Sequence, residues 1–218
     1  MSDPIKEFEE MYFKTLYEFY EKDPEAKVRT GDLAEALRVT PASTTEMVQR
    51  LAQKGYLEYV PYKGSSLTEK GLKHGRRMKR RHYLAGVLLD HLPFQGNNHS
   101  TACRLEHAID DDLEVALAIY LGLGKSDYRQ IYGKILDSEI EERVNQISHG
   151  LRTLGEMKVG ETSKIEIISA SNSNKELMAN LGLAIGNNIT KISDNSYSSK
   201  DLEININSEL QSNIIING

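Results

Sequence analysis

Apolar side chains recur every three or four positions near the start of the chain, which predicts an amphipathic helix over residues 5–21. The apolar stripe runs from Ile5 through Leu16 to Phe19, and Met11 lies on or beside it. A break at Lys22-Asp23-Pro24 then ends the helix.

Two shorter apolar patterns follow, and each of them fits a helix of its own. Thr30 is placed to cap the first, GDLAEALRV, and Pro41 suits the first turn of the second, PASTTEMVQRLAQKG. Gly55 then fits a C-terminal cap for the second helix. The inward-facing residues would be Leu33, Ala34 and Leu37 in the first helix, and Met47, Val48 and Leu51 in the second. The pattern therefore predicts two short helices separated by a tight turn.

The next segment, YLEYVPYKGSSLT, alternates apolar and polar residues, which is typical of short strands. We expect one strand at Leu57 to Tyr59, a turn at Lys63-Gly64-Ser65 and a second strand around Leu67. Helix-turn-helix followed by a hairpin is the layout of a winged helix, whose second helix enters the major groove of DNA. The alternative is a small α/β core with a polar surface.

A long helix is predicted from Thr68, with a basic first half and an apolar second half. After a loop at 93–98, further helices are expected from about Thr101 and from Asp110 through Tyr120. These helices carry more apolar surface than a small helical unit needs, so we expect a dimer interface. A charged helix at 127–147 would be a connector or an extra dimer contact.

Beyond residue 150 the composition shifts to Asn, Ser, Ile and Gly, with the alternating runs KIEIIS, NNITKIS, DLEININ and NIIING. Regular Ile alternation favours strands over disorder, so we expect a small β-barrel in which KELMANLG supplies one helical turn. The predicted fold is mainly α with a small all-β domain. The predicted domains are a winged helix-turn-helix at 1–72, a helical dimerisation domain at 73–150 and a barrel at 151–218.

The net charge of −5 hides an asymmetry along the 218 residues. Residues 26–82 hold thirteen Lys/Arg against five Asp/Glu, whereas 106–142 hold ten Asp/Glu against three Lys/Arg. An acidic whole chain is thus compatible with a DNA-binding face. No apolar run approaches the roughly 18 residues of a membrane span, and the acidic start lacks a signal-peptide pattern. We therefore expect a cytoplasmic protein that does not enter a membrane.

The most specific chemical feature is Cys103-x-x-Glu106-His107, because this spacing puts three side chains on one face of a predicted helix. A soft sulfur with harder oxygen and nitrogen donors suits Fe(II), Co(II), Ni(II) or Zn(II). The alternative is a buried, inert cysteine beside an exposed Glu-His pair.

Four stretches, in this order, resemble the diphtheria toxin repressor and iron-dependent regulator family, with the manganese transport regulator as a close branch. They are EEMYFKTLYE, LAEALRVTPASTTEMVQRLAQKGYL, LTEKGLKHGRRMKRRH and HSTACRLEHAIDDDLE. The tail is similar to that family's SH3-like (FeoA-like) domain, so the resemblance covers nearly the whole chain.

The resemblance implies a primary metal site formed by Met11, Cys103, Glu106 and His107. In the manganese branch acidic residues occupy the positions of Met11, Cys103 and Lys14. The residues present here therefore imply the iron-sensing branch and argue against a manganese-type paired site.

The resemblance also implies an ancillary metal site, for which His82 and His99 match two ligands. Gly86 stands where a Glu is expected, and Ser171 and Asn174 stand at the Glu and Gln positions of the SH3-like domain. These departures imply a weaker or altered ancillary site; alternatively, the two histidines are ordinary helix-end and loop residues.

For DNA, the resemblance places the recognition helix at 41–54. The residues expected toward base edges are Thr40, Ala42, Ser43, Thr44 and Glu46, and those expected near phosphates are Arg29, Arg50 and Lys63. Pro41, at the start of this helix, is also expected at the DNA-binding surface. Small and hydroxylated residues at a helix N-terminus fit close approach to thymine methyls and phosphates.

The expected function is an Fe2+-responsive, homodimeric repressor of metal-uptake and homeostasis genes that binds a palindromic operator. Ni2+, Co2+, Zn2+ or Mn2+ would replace iron in vitro. The alternatives are a regulator of the same fold that responds to Mn2+ or another divalent metal, and a winged-helix regulator that needs no metal. A metalloenzyme would need an open coordination position and a second polar constellation, which the sequence does not present, so no enzyme is expected.

Overall fold

The computed structural model describes residues 7–122, 138–169, 178–200 and 202–218. Its contacts divide the chain into two units, and each is described by itself. Of the described residues, those up to 82 together with 106–108 form the first unit, and those at 83–105 and from 109 onward form the second.

The first unit has the predicted winged helix-turn-helix order. Its elements are α1 (Glu7–Lys22), α2 (Thr30–Leu37), α3 (Pro41–Gln53), β1 (Leu57–Val60), β2 (Gly64–Leu67) and the first part of α4 (Glu69–Asp90). Its core is formed by residues that the apolar periodicity placed inward together with aromatic residues, among them Tyr12, Phe13, Leu16, Leu33, Met47, Val48, Leu51 and Tyr56.

The turn between α2 and α3 has local causes in the sequence. Arg38 ends α2 in a left-handed conformation, with φ of 56°. The side chain of Thr40 then accepts a hydrogen bond from the Ser43 amide at 3.2 Å, and Pro41 opens α3. The predicted cap at Thr30 was one residue late, because Thr30 is the first helical residue and Arg29 holds the cap position without a side-chain bond.

The wing is an antiparallel hairpin in which Leu57 pairs with Leu67 and Val60 with Gly64. Its turn lies at 61–63 rather than at the predicted 63–65, since Gly64 is already in β2. Gly64 has φ of 110°, and a Cβ there would lie 2.6 Å from the carbonyl oxygen of Val28. Glycine at this position therefore lets the wing approach the segment before α2.

The second unit contains the rest of α4, then α5 (Asn98–Leu105), α6 (Asp111–Gly122) and α7 (Ser138–Ile147). α5 begins about three residues earlier than predicted. Of the charged helix expected at 127–147, α7 is described and residues 127–137 lie outside the described residues. The buried apolar residues that join α4, α5 and α6 are Leu84, Ala85, Val87, Leu89, Ala102, Ile109, Leu117 and Leu121.

The C-terminal part of this unit is one antiparallel sheet with the strand order β3-β8-β4-β5-β6-β7. Its elements are β3 (Leu151–Thr153), a 3-10 turn (Leu154–Glu156), β4 (Thr162–Ile168), β5 (Asn188–Lys191), β6 (Ser196–Ser199), β7 (Leu202–Asn205), α8 (Ser208–Gln211) and β8 (Ile214–Asn217). The predicted class, mainly α with a small all-β domain, is confirmed.

The predicted closure of this sheet into a barrel was wrong for the strands that the structure describes, because β3 and β7 are open edges. Alternation identifies a strand and its buried face, but it carries no information on whether the edge strands meet. The predicted helical turn in KELMANLG is present at 178–180, while 175–177 lie outside the described residues. Within the described residues, no helix is long and apolar enough to cross a bilayer.

Candidate metal centre and DNA-binding surface

One side of α1 carries the polar residues from which the candidate metal centre is built. Glu10 and Lys14 are four residues apart and therefore lie on one face of the helix, and Met11 is three residues before Lys14. Glu10 and Lys14 are partly buried, whereas Met11 is 39% exposed. The three residues form one patch on the helix surface.

Glu106 places a buried carboxylate against this patch. It is 2% exposed, and its two oxygens accept hydrogen bonds from Lys14 Nζ at 2.7 and 3.0 Å. His82 Nδ1 lies 2.6 Å from Glu106 Oε2 and 3.1 Å from Lys14 Nζ. A buried carboxylate is costly unless it is paired, and here the Lys14 ammonium supplies the opposite charge.

His107 is fixed by the residue next to Met11. Its Nδ1 donates to Glu10 Oε2 at 2.8 Å, while its Nε2 lies 3.7 Å from Glu106 Oε1. The hydrogen bond with Glu10, helped by the charge of Glu106, raises the pKa of His107 although burial opposes the rise. A carboxylate on one ring nitrogen leaves the other nitrogen oriented for a ligand, which is the usual arrangement around a metal-binding histidine.

The structure distributes the four predicted primary ligands over the two units. Glu106 and His107 lie in the first unit with Met11, and Cys103 lies in the second unit. There the Sγ of Cys103 is 3.7 Å from the Nε2 of His99. Within the first unit the predicted site residues include a carboxylate and imidazole group beside α1, and within the second unit they include a cysteine and histidine pair on α5.

Each predicted ancillary residue has a contact within its own unit. His82 contacts Glu106, and His99 contacts Cys103, so each lies beside a predicted primary ligand. At Gly86, where the resemblance expects a Glu, Asn98 Nδ2 donates to the carbonyl oxygen at 3.4 Å. A Cβ at Gly86 would meet Asn98 Oδ1 at 3.7 Å, an ordinary contact. Ser171 and Asn174 lie outside the described residues.

The donors of the first unit are of types that bind divalent cations, because Glu106 contacts both His82 and His107, and His107 in turn contacts Glu10. Sequence reasoning missed Glu10. The one sequence feature that involves Glu10 is its four-residue spacing from Lys14. Such Glu-Lys spacing is common on helices, and only the contact of Glu10 with His107 shows that this residue belongs to the site.

The predicted DNA-contacting residues lie on the surface of the winged helix with one exception. Arg29, Thr40, Pro41, Ala42, Ser43, Glu46, Arg50 and Lys63 are exposed. Thr44 is fully buried, and its hydroxyl donates to the Thr40 carbonyl oxygen at 3.1 Å. The prediction that Thr44 faces a base edge therefore fails, since the first turn of α3 points this side chain inward.

Two family models match the chain in succession. The model for the N-terminal DNA binding domain of iron dependent repressors matches residues 6–65, and that for their metal binding and dimerisation domain matches 68–130.

Among curated proteins, an uncharacterised HTH-type transcriptional regulator of Methanocaldococcus jannaschii is 33% identical over 116 residues, which are 51% of this chain and 90% of that protein. The regulator MntR of Bacillus subtilis is 45% identical over 75 residues, which are 34% of this chain and 51% of MntR. The chain therefore spans about half the length of this MntR and nine tenths of the Methanocaldococcus regulator.

Among solved structures, the T. acidophilum IdeR crystal structure gives a TM-score of 0.47 at 16% identity and covers 100% of this chain and 99% of that one. On the two family matches and the Methanocaldococcus relative, the chain belongs to the iron-dependent repressor family, which includes the diphtheria toxin repressor and MntR and whose members are metal-dependent, DNA-binding transcriptional repressors rather than enzymes.

Proposed function

We propose that this protein is an Fe2+-responsive repressor of metal-uptake and homeostasis genes, acting in the cytoplasm as a homodimer on a palindromic operator. The observation that carries the proposal is the grouping of Glu106 and His107 with the Glu10-Met11-Lys14 patch of α1, in the same unit as the winged helix. A site on α1 has direct access to the DNA-binding fold.

Met11, Cys103, Glu106 and His107 would hold the ion, with Glu10 orienting His107. Met11 and Cys103 bring sulfur donors, which suit Fe(II) better than Mn(II). A bound divalent ion supplies positive charge around which donors from separate parts of the chain gather. The protein's part is to present a buried carboxylate and an imidazole whose Nδ1 is already engaged, and to bring them to α1.

A manganese-responsive regulator of the same fold is the second candidate. The observation that favours it is the oxygen-rich environment of His107, where Glu10 and Glu106 both lie close to the ring. Carboxylate oxygen is the donor that Mn(II) prefers. The relatives named MntR point in the same direction.

For DNA, we propose that the N-terminal end of α3 enters the major groove, with Thr40, Ala42, Ser43 and Glu46 toward the bases. Arg29, Arg50 and Lys63 would lie near phosphates, and Thr44 would not contact DNA. Two winged helices of a homodimer would read the two halves of a palindrome, since a twofold protein matches a twofold site.

We keep the domain limits at 1–72, 73–150 and 151–218, the SH3-like character of the C-terminal sheet, and an ancillary site at His82 and His99 as predictions. An ancillary site that used His82 would have to share this residue with Glu106, its present contact. Ni2+, Co2+, Zn2+ and Mn2+ are expected to substitute in vitro.

The test is operator binding by the full chain to DNA from upstream of its own gene, under anaerobic conditions, with Fe(II), Mn(II) or EDTA. We expect Fe(II) to tighten binding most, and Cys103→Ala or His107→Ala to abolish the stimulation. Equal binding in EDTA would instead indicate a winged-helix regulator that needs no metal, and stronger stimulation by Mn(II) would favour the second candidate.

A further inference from the structure

Glu9 is a carboxylate on the core side of α1, a position where an apolar residue is the norm. It is 1% exposed and lies three and four residues before the fully buried Tyr12 and Phe13, so it continues their stripe. It also immediately precedes Glu10, the first residue of the Glu10-Met11-Lys14 patch, which is the proposed metal-facing patch of the same helix. One rigid helix thus presents two carboxylates to two different surroundings.

The partners of Glu9 lie at the end of α3, the proposed recognition helix. Lys54 Nζ donates to Glu9 Oε1 at 2.9 Å, and Arg50 Nε lies 3.5 Å from the same oxygen. Lys54 is the C-terminal cap residue of α3, and Arg50 is in its last turn. Both cations therefore fix the end of α3 to α1.

Stability alone is a poor reason for this arrangement. A buried ion pair seldom stabilises a fold more than a well-packed apolar residue would, because removing the charges from water is costly. Elsewhere on α1, Glu18 and Glu21 pair with Lys79 of α4 at 3.8 and 3.3 Å, and these are partly exposed pairs that do not involve α3. What distinguishes Glu9 is its burial together with its attachment to the recognition helix.

We propose that Glu9 is a positioning residue that couples the metal-facing patch of α1 to the position of α3 on DNA. This inference rests on the proposed function. Metal binding at Met11, with Glu10 orienting His107, favours one position of α1. The contacts of Glu9 with Lys54 and Arg50 then move the end of α3 together with α1. Such a contact matters only if its geometry differs between the metal-bound and metal-free states, so the coupling itself has to be measured.

The experiment compares the operator dissociation constant with Fe(II) and with EDTA, using fluorescence anisotropy on the full chain under anaerobic conditions. The measured quantity, for each protein, is the dissociation constant in EDTA divided by the dissociation constant with Fe(II), which gives the factor by which Fe(II) tightens operator binding. We expect Glu9→Gln to lower this ratio about tenfold, a change of ordinary size for an allosteric coupling. Fe(II) affinity without DNA should stay within about threefold, because Glu9 is not a proposed ligand.

Three further proteins complete the test. Lys54→Gln should lower the ratio as Glu9→Gln does, and the double variant should match the single ones, because both act through one contact. Glu18→Gln makes the same chemical change on the same helix and should leave the ratio unchanged. Since Lys54 is on the surface side of the pair, it carries the test if Glu9→Gln fails to fold.

An unchanged ratio in Glu9→Gln and Lys54→Gln would overturn the inference. So would a loss of affinity that is equal with Fe(II) and with EDTA, since that is what a merely structural contact would produce. If the wild-type protein itself shows no difference between Fe(II) and EDTA, the proposed function has failed, and this is seen before any variant is made.

Discussion

At the scale of single residues, Lys14 is the side chain that compensates Glu106 when only the protein's own charges are present. Its ammonium lies within 3.1 Å of Glu106 and His82 atoms, which is where a second cation would have to approach. A tethered positive charge so close to a proposed metal ligand opposes metal binding.

We therefore expect Lys14→Gln to bind Fe(II) about tenfold more tightly, because a like charge next to Glu106 is removed. The metal-free protein should at the same time become less stable, since Glu106 loses its ion pair. Metal titration and urea unfolding in EDTA measure the two effects. Lys22→Gln, at the far end of α1, is the matched control for the loss of one lysine charge from this helix. Weaker metal binding in Lys14→Gln would contradict the prediction and show that the ammonium supports the site.

Glu10 is the second residue whose role can be tested alone. Glu10→Gln exchanges the strong acceptor on His107 Nδ1 for an amide, so the ring is held less firmly and its raised pKa falls toward the ordinary value. We expect roughly 10- to 100-fold weaker Fe(II) binding, the usual loss when the carboxylate behind a metal-binding histidine is removed.

The readouts for Glu10→Gln are metal titration and the pH dependence of the His107 ring signals in NMR spectra of the metal-free protein. Glu21→Gln on the same helix controls for the loss of one charge. A normal metal affinity together with a lowered His107 pKa would separate the hydrogen bond from metal binding and contradict the role given to Glu10.

The motif Cys103-x-x-Glu106-His107 could be found in the sequence because its residues are close along the chain. The predicted single helix face was wrong, since α5 ends at Leu105 and Glu106 and His107 lie in the turn that follows it. Glu9 and Glu10 could not be recognised in this way. Two adjacent glutamates at the start of a helix are ordinary, and what separates them is that one faces Lys54 and the other faces His107. These partners are 45 and 97 residues away along the chain, beyond the reach of any local pattern.

At the scale of elements, the wing depends on one backbone position. Gly64→Ala would force an alanine to adopt φ of 110° and would place its Cβ 2.6 Å from the Val28 carbonyl oxygen, where backbone has to move. We expect a loss of about 2 kcal/mol or more in the free energy of unfolding, measured in urea.

Gly31→Ala is the control for Gly64→Ala, because Gly31 is helical and a Cβ there meets no atom within 4 Å. It should stabilise the protein by up to about 1 kcal/mol through the helix propensity of alanine. Equal effects of the two substitutions would mean that the close approach at Gly64 is not important for the fold.

The periodicity of apolar residues predicted the elements that have one solvent-exposed and one buried side. It failed for elements in which that contrast is absent. α1, α3, α4 and the strands with alternating Ile were recognised for this reason. β3 and β6 were not, because Leu151–Thr153 is only three residues long and Ser196–Ser199 has a single apolar residue, Tyr197. The open edges of the sheet depend on strand pairing, which no single run encodes.

At the scale of the whole molecule, the charge pattern of the sequence can be compared with the residues that the first unit exposes and buries. The basic excess of residues 26–82 suggested a DNA-binding face, and most predicted contact residues are indeed on the surface. The sequence could not distinguish Thr44 from its neighbours, since its burial depends on the direction in which the first turn of α3 faces. Arg50 likewise looked like a phosphate contact, and its proximity to Glu9 became visible only in the fold.

The same unit contains two histidines whose protonation affects folding in opposite directions. The centroid of the His74 ring lies 5.2 Å from that of the Phe13 ring and 5.1 Å from that of the Tyr56 ring, and its Nδ1 is 2.8 Å from Arg77 Nη2. Burial, with the charges of Arg77 and Lys70, lowers the pKa of His74 to about 4. His107, whose pKa is raised, instead contributes stability at low pH and loses it as the pH rises through its folded pKa.

For His74 the unfolded chain takes up a proton near pH 6.5 and the folded chain only near pH 4, so its contribution to the free energy of unfolding falls as the pH drops through this window. We expect His74→Gln, which keeps an acceptor for Arg77, to be less stable at pH 7 but to lose less stability between pH 7 and pH 5 than the wild type. Urea unfolding in EDTA at both pH values measures the difference, and His149→Gln, at an exposed position, controls for the loss of a histidine. A His74→Gln protein that loses as much stability as the wild type over this interval would show that His74 is protonated in the fold as readily as in the unfolded chain, and that its ring packing does not exclude the charged form.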